Sequence, residues 1–193
     1  MSDVAPGWYS GPSDPLQERF WDGATWTDQV RPRPPLPRIG DVGPGGGRIF
    51  ITPSTIGNST GQYFEAAPYA DEVLAKWCSD SDALLGASGT SIGTGATNTA
   101  IAAATCIDGA CKIASKYSNN GFSDWFLPSK DELNALYGAR DYLGGFSTDC
   151  YWSSSEGKVN GAWEQHFGEG GSVVGIMLFH IDLNYVRPVR AFS

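Results

Sequence analysis

Small and apolar residues in the middle of the chain follow the spacing of short helices. Residues 98–105 and residues 110–117 are rich in alanine and contain no glycine or proline. Both segments therefore favour helix, and Thr97 or Asn98 is the predicted N-cap of the first one because short polar side chains satisfy free backbone N–H groups there.

A third helix is predicted directly after Ser129. Ser129-Lys130-Asp131-Glu132 has the spacing of a capping box, in which the serine and glutamate side chains each accept a backbone hydrogen bond at the helix start. Leu133, Leu136 and Tyr137 then fall on one face of that helix.

Short strands are predicted on both sides of these helices. Residues 48–52 and 63–68 precede them, and after Gly144-Gly145 the pattern changes to short strand segments. The later strands are predicted at residues 150–155, 162–168, 172–179 and 186–192. Helices followed by a strand-rich end predict an α+β fold, and residues 81–97, rich in Gly, Ser and Thr, are predicted to be a long loop.

Residues 1–30 form a separate, aromatic-rich unit. Asp22-Gly23 lies between two aromatic segments and predicts a β-hairpin, since glycine accepts the positive φ of a tight turn. The unit is too small for an ordinary core, so aromatic rings must supply most of its buried area. Its candidate anchoring residues are Trp8, Tyr9, Trp21 and Trp26.

Residues 31–38 are proline-rich and favour a polyproline II spacer between that unit and a main domain at residues 39–193. A second interpretation stays open. In it, the four aromatic residues form a groove that holds Pro34 and Pro35, either of this chain or of another copy.

Composition and charge narrow the function. The 193 residues are 41% hydrophobic and carry a net charge of −8, of which residues 40–193 contribute −7 (nine basic and sixteen acidic side chains). An acidic domain lacks the basic surface that nucleic-acid binding requires. Neither a secretory leader nor an apolar segment long enough to span a membrane is expected from the sequence.

The cysteines leave their pairing open. Cys78, Cys106, Cys111 and Cys150 are compatible with one or two disulfides or with four free thiols. The Cys106-x4-Cys111 spacing does not match a zinc pair, so no metal or cofactor is predicted. Calcium remains an alternative, with hard oxygen ligands from Asp80, Asp82, Asp149, Asp182 and Asn184.

Five ordered motifs in residues 39–193 resemble the C-terminal domain family of the Legionella collagen-like adhesin. They are Gly40-Asp41-x-Gly43-Pro44-Gly45-Gly46-Gly47, residues 92–99, residues 123–133, Tyr151-Trp152-Ser153-Ser154-Ser155-Glu156, and residues 187–192. The resemblance implies a surface-displayed binding domain that in one case attaches to sulfated glycosaminoglycans. A net charge of −7 does not suit a sulfated ligand, so only the binding role is carried over.

Two further resemblances concern layout and origin. The order of helices, then twisted antiparallel strands, is similar to C-type-lectin-like domains, which implies a fold and not a ligand. Gly7-Trp8-Tyr9 and Phe20-Trp21-Asp22-Gly23-x-x-Trp26-Thr27 resemble a short tryptophan-rich domain of unknown function found mainly at the ends of actinobacterial proteins.

Apart from Tyr151, which belongs to the fourth motif, the candidate ligand-binding residues lie between the five motifs, where Trp and Tyr stand among short polar side chains. They are Asp149, Tyr151, Asn160, Trp163, Glu164, Gln165, His166, His180, Asp182, Asn184 and Tyr185. The Trp and Ser residues of 152–155 are interpreted as structural, and Arg187 and Arg190 as inward-facing partners of Asp124, Asp131 or Glu156.

The sequence therefore predicts a non-enzymatic recognition or adhesion protein. No catalytic residues are assigned, and a hydrolase with Ser155 and His166 in hydrogen-bond reach is a further alternative. The actinobacterial N-terminal module and the expected lack of a leader predict an oligomeric decoration or tail component of an actinobacteriophage virion, outside the cell, that binds a host-surface glycan or protein. The alternative is a structural cement with no external ligand.

Overall fold

The computed structural model describes residues 4–10, 16–79, 84–157, 161–168 and 182–193, and the backbone alone of residues 173–178. The chain divides into two compact units, Met1–Leu36 and Pro37–Ser193.

The N-terminal unit is a three-stranded antiparallel sheet. Its strands, in the order β1-β2-β3, are β1 (Gly7–Ser10), β2 (Gln17–Trp21) and β3 (Trp26–Pro32). The predicted hairpin is confirmed: the Asp22 carboxylate accepts hydrogen bonds from the backbone N–H groups of Ala24 and Thr25, both at 2.7 Å, and Gly23 has a φ of +99°. Because β3 continues to Pro32, the first two residues of the predicted spacer belong to the sheet.

The second unit carries three α-helices and eight strands among the described residues. The helices are α1 (Gly95–Thr105), α2 (Ala110–Lys116) and α3 (Lys130–Leu143). The strands are β4 (Arg48–Ile51), β5 (Tyr63–Ala66), β6 (Val73–Ala75), β7 (Cys150–Glu156), β8 (Gly161–His166), β9 (Val173–Leu178), β10 (Asn184–Val186) and β11 (Val189–Phe192).

These strands form two sheets. One has the order β6-β10-β7-β8-β9, and the other has the order β11-β5-β4. Strand pairs are antiparallel except β10 with β7, which are parallel. The predicted α+β class with three helices is therefore confirmed.

Two predicted boundaries differ from the structure for identifiable reasons. Helix α1 begins at Gly95, before the predicted cap, and the Asn98 side chain exchanges hydrogen bonds with the backbone of Gly89 (2.6 and 3.1 Å). The predicted last strand is divided into β10 and β11 around Pro188, whose nitrogen carries no hydrogen to donate.

Apolar side chains are buried in two clusters. In the first, Leu133 and Leu136 of α3 pack against the sheets with Phe64, Phe126 and Tyr151. In the second, α1 and α2 pack around Trp77 and Trp152, and this cluster contains the disulfide Cys78–Cys106. Cys111 is a buried free thiol, whose pKa is raised by burial, and Cys150 is a half-buried one.

Two buried arginines form ion pairs within the second unit. Arg190 contacts Glu65 at 3.1 Å and also pairs with Asp124, one of its three predicted partners. Arg187 pairs instead with Glu72 at 3.0 Å, and Tyr151 donates to the same carboxylate. Removal of one partner from such a pair leaves a buried charge uncompensated, so these contacts constrain the core strongly.

The glycine motif at residues 43–47 forms a cradle for Glu65. The backbone N–H groups of Gly45 and Gly47 donate to the Glu65 carboxylate at 2.9–3.1 Å. A Cβ on Gly45 would lie 2.7 Å from a Glu65 oxygen, and one on Gly47 would overlap the Ala66 carbonyl oxygen. Glycine is thus required for close approach to this carboxylate.

Substitution of Gly47 and Gly138 by alanine should have opposite effects on stability. Gly47→Ala is expected to lower the free energy of unfolding because its Cβ overlaps backbone. Gly138 lies in α3, with open space around the position of a Cβ. Gly138→Ala should therefore raise the free energy of unfolding by about 0.8–1 kcal/mol. Urea unfolding of both variants measures this, and equal effects would contradict the cradle.

Removal of the disulfide should weaken the second unit. The Cys78→Ser/Cys106→Ser variant is expected to lose about 3–4 kcal/mol of unfolding free energy, because the closed loop spans a sequence separation of 28 residues. Thermal unfolding measures the loss, with Cys150→Ser as the control. Four alkylatable thiols in the unfolded, unreduced protein would show that this bond does not form.

Candidate ligand-binding groove

Trp163 on β8 is the predicted ligand residue that lies at a groove. Its side chain is half-buried, and the Lys130 ammonium group at the start of α3 lies 4.7 Å from the centre of its ring. This cation–π contact restrains the indole. β8 pairs Trp163 with Ile176 of β9, and the register of this pairing shifts between Trp163 and Gln165.

The groove has a volume of about 690 Å³. It is lined by Leu84, Gly86, Ser88, Thr90, Glu156, Gly157 and Trp163. An aromatic ring, an exposed leucine and two hydroxyl-bearing side chains therefore border one space, a combination typical of sites that bind ligands with both apolar and hydroxyl surfaces.

Glu156 holds the loop that forms one wall of this groove. Its carboxylate, almost completely buried at the end of β7, accepts hydrogen bonds from the backbone N–H groups of Leu85, Gly86 and Ala87 at 2.6–2.8 Å. The Glu156 N–H donates in turn to the Ala87 carbonyl at 2.8 Å. Charge-assisted bonds of this kind are stronger than neutral ones, so the wall is fixed before any ligand binds.

The serines of β7 hold the next part of the same loop. The Ser155 hydroxyl donates to the Gly89 carbonyl at 2.6 Å and accepts from the Lys130 N–H at 2.9 Å. The Asp131 N–H donates to the Thr90 carbonyl at 2.9 Å. The Ser-Ser-Ser run is buried and bonded to backbone, as the structural interpretation of the motif predicted.

Glu132 fixes the following segment and completes the predicted capping box with Ser129. Its carboxylate accepts from the N–H groups of Ser129, Gly93 and Gly95 at 2.7, 2.7 and 3.4 Å. Burial raises the pKa of this carboxyl to about 7, against the opposing effect of those three donors. The start of α1 and the start of α3 are therefore joined through one side chain.

The stability of the fold should depend on the ionisation of Glu132. Since its pKa is higher in the folded chain than in the unfolded chain, the folded chain holds the proton more tightly. Its stabilising contribution is complete below about pH 4.5 and is lost as the pH rises through about 7.

The measurement is the unfolding free energy at a series of pH values. Glu132→Gln should show a smaller decrease between pH 4.5 and pH 7 than the unmodified chain, because the amide does not titrate. Asp141→Asn, an exposed change on the same helix, is the control and should keep the decrease. An unchanged profile in Glu132→Gln would contradict the assignment.

Four of the other predicted ligand residues are buried. Tyr151 and Gln165 are fully enclosed: Tyr151 packs against Phe167 and Tyr185, and Gln165 donates to the Asn134 side chain at 3.3 Å. Burial raises the pKa of Tyr151 above its ordinary value. The exposed fractions of Glu164 and Asn184 are only 8% and 6%. In this conformation these side chains are positioned to support the sheet, not to contact a ligand.

A polar cluster gathers several of the predicted residues on the sheet face opposite Tyr151 and Gln165. Asn184 donates to the Glu164 carboxylate, and Cys150 forms a hydrogen bond with it. Burial, and then the negative charges of Asp182 and Asp149, raise the pKa of Glu164. The pKa of Cys150 is raised to about 12, chiefly by burial, so this thiol is protonated at neutral pH. Exposed His166 is paired with Cys150 across the strands.

The described residues do not provide a set of ligands for the calcium ion considered from the sequence. Within the described parts of the chain, no three His, Cys, Asp or Glu side chains come close enough together to hold a metal ion. Asp149, Asp182 and Asn184 lie near Glu164 without forming such a group. Asp80, Asp82, Asn160 and His180 lie outside the described residues.

The hydrolase alternative required contact between Ser155 and His166. The Ser155 hydroxyl is bonded to backbone at Gly89 and Lys130, and His166 Nδ1 accepts from the Gly168 N–H at 3.2 Å. The hydrogen bonds formed by the described residues do not join the two side chains.

In the N-terminal unit the predicted aromatic residues lie on two faces. Tyr9 and Trp21 both contact Trp26, with ring centres 6.0 and 5.3 Å apart. Trp8 points to the other face, where it packs against Phe20 at 5.3 Å and under Arg31 at 4.5 Å. The predicted groove of four rings is therefore a set of three, and Pro34 and Pro35 are exposed.

The sequence did not predict that residues of the long loop line the groove. Leu84, Ser88 and Thr90 belong to the segment that the sequence predicts as a long loop, and Lys130 belongs to the predicted capping box. The available signal was Glu156, a carboxylate that directly follows the serine run at the end of a predicted strand. Such a group must find backbone donors when it is buried, and a glycine-rich loop can provide them.

Comparison with known proteins identifies a matching family for the N-terminal unit. Among the described residues, no helix is long and apolar enough to cross a membrane. No curated protein matches the chain. Residues 6–38, which contain the whole three-stranded sheet, match the model of a family described as a protein of unknown function (DUF2510).

Proposed function

We propose that the second unit is a non-enzymatic recognition domain that binds a host-surface glycan through the groove at Trp163. One observation carries the proposal: the Trp163 ring lines the same groove as Ser88 and Thr90. These two residues belong to the loop whose backbone is held by Glu156. The ring offers an apolar face for the C–H surface of a sugar, and the hydroxyls offer hydrogen bonds. A wall that is already ordered reduces the entropy lost on binding.

The charge of the unit favours a neutral or cationic ligand. Residues 40–193 carry a net charge of −7, and the groove contains the Glu156 carboxylate. Lys130, whose ammonium group could attract an anion, is already in contact with Trp163. A sulfated or phosphorylated polymer would meet repulsion, so the ligand class is an uncharged glycan.

The resemblance to the collagen-like adhesin C-terminal family is part of the same proposal, as is the C-type-lectin-like layout. The residues of the five motifs mostly hold the scaffold: the glycine motif receives Glu65, residues 123–133 contain the capping box, and Arg187 and Arg190 pair with buried carboxylates. Trp163, Leu84 and Ser88 lie between the motifs. Recognition would then be performed by residues outside the motifs.

The proposed location is the surface of a particle outside the cell. The Cys78–Cys106 disulfide supports it, because such bonds persist in oxidising surroundings. The resemblance of the N-terminal unit to a tryptophan-rich domain of actinobacterial proteins supports an actinobacterial host, and a phage virion is the proposed particle. Display of several copies would convert weak single contacts into useful avidity.

The test is binding of the purified protein to actinobacterial cell-wall glycans and to whole cells. Trp163→Ala should weaken saturable binding by roughly 30-fold, the loss typical of a central aromatic contact. Tyr142→Ala is the matched control, since Tyr142 is 70% exposed on α3 and does not line the groove, and it should bind normally.

Two outcomes would overturn the proposal. Equal binding by both variants would place the ligand elsewhere. Absence of binding to every glycan and cell, with the protein still co-purifying with a particle, would favour the structural cement instead.

A further inference from the structure

The three-ring face of the N-terminal unit already holds another part of the chain, residues 4–6. The Tyr9 hydroxyl donates to the Ala5 carbonyl at 2.7 Å, and the Trp21 indole N–H donates to the Val4 carbonyl at 3.1 Å. Pro6 follows, with its ring 3.2 Å from the position of a Cβ on Gly23. Residues 4–6 thus lie beside this aromatic face, bonded through their carbonyl groups.

This arrangement has the chemistry of proline-segment recognition. Aromatic edges supply O–H and N–H donors to the carbonyls of an extended peptide, whose own conformation costs little entropy because proline restricts it. Recognition through carbonyl groups does not require the side chains of Val4 and Ala5. Another segment with the same backbone form and a proline in a similar place could therefore replace them.

We propose that the face formed by Tyr9, Trp21 and Trp26 is a peptide-binding site, that residues 4–6 occupy it as an internal ligand, and that its partner is the proline-rich run at residues 33–38 of a second copy of this chain. The site would link one copy to the next. Contact between different surfaces of identical chains produces rings or open filaments, so this site would serve assembly.

The run at residues 33–38 has the properties that this site requires. Arg33-Pro34-Pro35-Leu36-Pro37-Arg38 is exposed throughout, with Leu36 at 64%. Its prolines favour the extended form, and its Leu-Pro step resembles the Ala-Pro step of the internal ligand. The segment therefore shares with the present occupant an apolar residue followed by proline.

Charge is also complementary. The run carries arginine at each end, and exposed acidic residues lie close in sequence to two of the rings: Asp22 directly follows Trp21, and Asp28 is two residues after Trp26. Asp28 pairs with Arg19 on the surface at 3.3 Å, and its side chain is fully exposed. Such exposed pairs contribute little energy, so Asp28 remains available to an incoming arginine.

The internal ligand is held weakly enough to exchange. Val4 keeps 46% of its exposure, and Ala5 and Pro6 are exposed as well. Two hydrogen bonds at exposed positions attach the segment to the rings. An external segment present at high local concentration, as in a particle, can therefore compete with it.

The first experiment measures binding of the peptide Arg-Pro-Pro-Leu-Pro-Arg by calorimetry. The chain that lacks residues 1–6 should bind it at least about tenfold more tightly than the full chain, because the competing segment is gone. A peptide with alanine at all three prolines should not bind. Tyr9→Phe in the shortened chain keeps the ring, removes the donor and should weaken binding several-fold, whereas Tyr142→Phe should have no effect.

The second experiment keeps every residue of the full chain. Sedimentation of the unmodified protein should show self-association that increases with concentration, and Pro34→Ala/Pro35→Ala should shift it to the monomer. Circular dichroism verifies that each variant is folded.

Several results would overturn the proposal. These are failure of both chain forms to bind the peptide, equal binding of the alanine peptide, and an unchanged affinity in Tyr9→Phe. Capture of an unrelated proline-rich peptide, without binding of the 33–38 peptide, would show that the partner is not a second copy. Failure of glycan binding at Trp163 has no effect on these readouts.

Discussion

The second unit depends on one requirement: a carboxylate removed from water must receive hydrogen bonds. Glu65, Glu132 and Glu156 are all buried, and each meets this requirement with backbone N–H groups of a glycine-containing loop. Because an unsatisfied buried charge is very costly, each glutamate fixes the path of its loop. The glycine motif, the start of α1 and the groove wall are thus consequences of the same interaction at three places.

These three interactions also connect the sheets to the helices. Glu65 lies on β5 and Glu156 on β7, whereas Glu132 lies in the first turn of α3. Ser155 adds a link between the groove loop and the first residue of α3. The position of Trp163 relative to the loop is therefore set by buried polar contacts, and its ring is restrained further by Lys130.

The sequence predicted the features that depend on local patterns. The capping box at Ser129, the three helices and the hairpin at Asp22 all agree with the structure. Local spacing is sufficient for such features because the interacting groups are neighbours in sequence. The helix start at Gly95 was missed because its backbone is bonded to Glu132, a residue of another helix.

It was harder to predict from the sequence which side chains of a strand face solvent. Residues 151–156 of β7 are buried without interruption, so alternation of polar and apolar residues could not show which side chains face solvent. Tyr151 and Gln165 therefore looked similar to Trp163 in sequence, although only Trp163 borders the groove. In β1, where successive side chains alternate, Trp8 and Tyr9 fall on opposite faces, and sequence proximity alone wrongly grouped them.

Glu156 and Ser155 hold the groove loop through its backbone. The stability of the loop therefore does not depend on the side chains that line the groove. Both side chains bond to N–H and carbonyl groups of residues 85–89, which every amino acid except proline provides in full. Replacement of Leu84, Ser88 or Thr90 would change the surface of the groove but leave those anchors in place. The same scaffold can consequently vary the chemistry of its groove over evolutionary time through single substitutions, without a compensating change in its core.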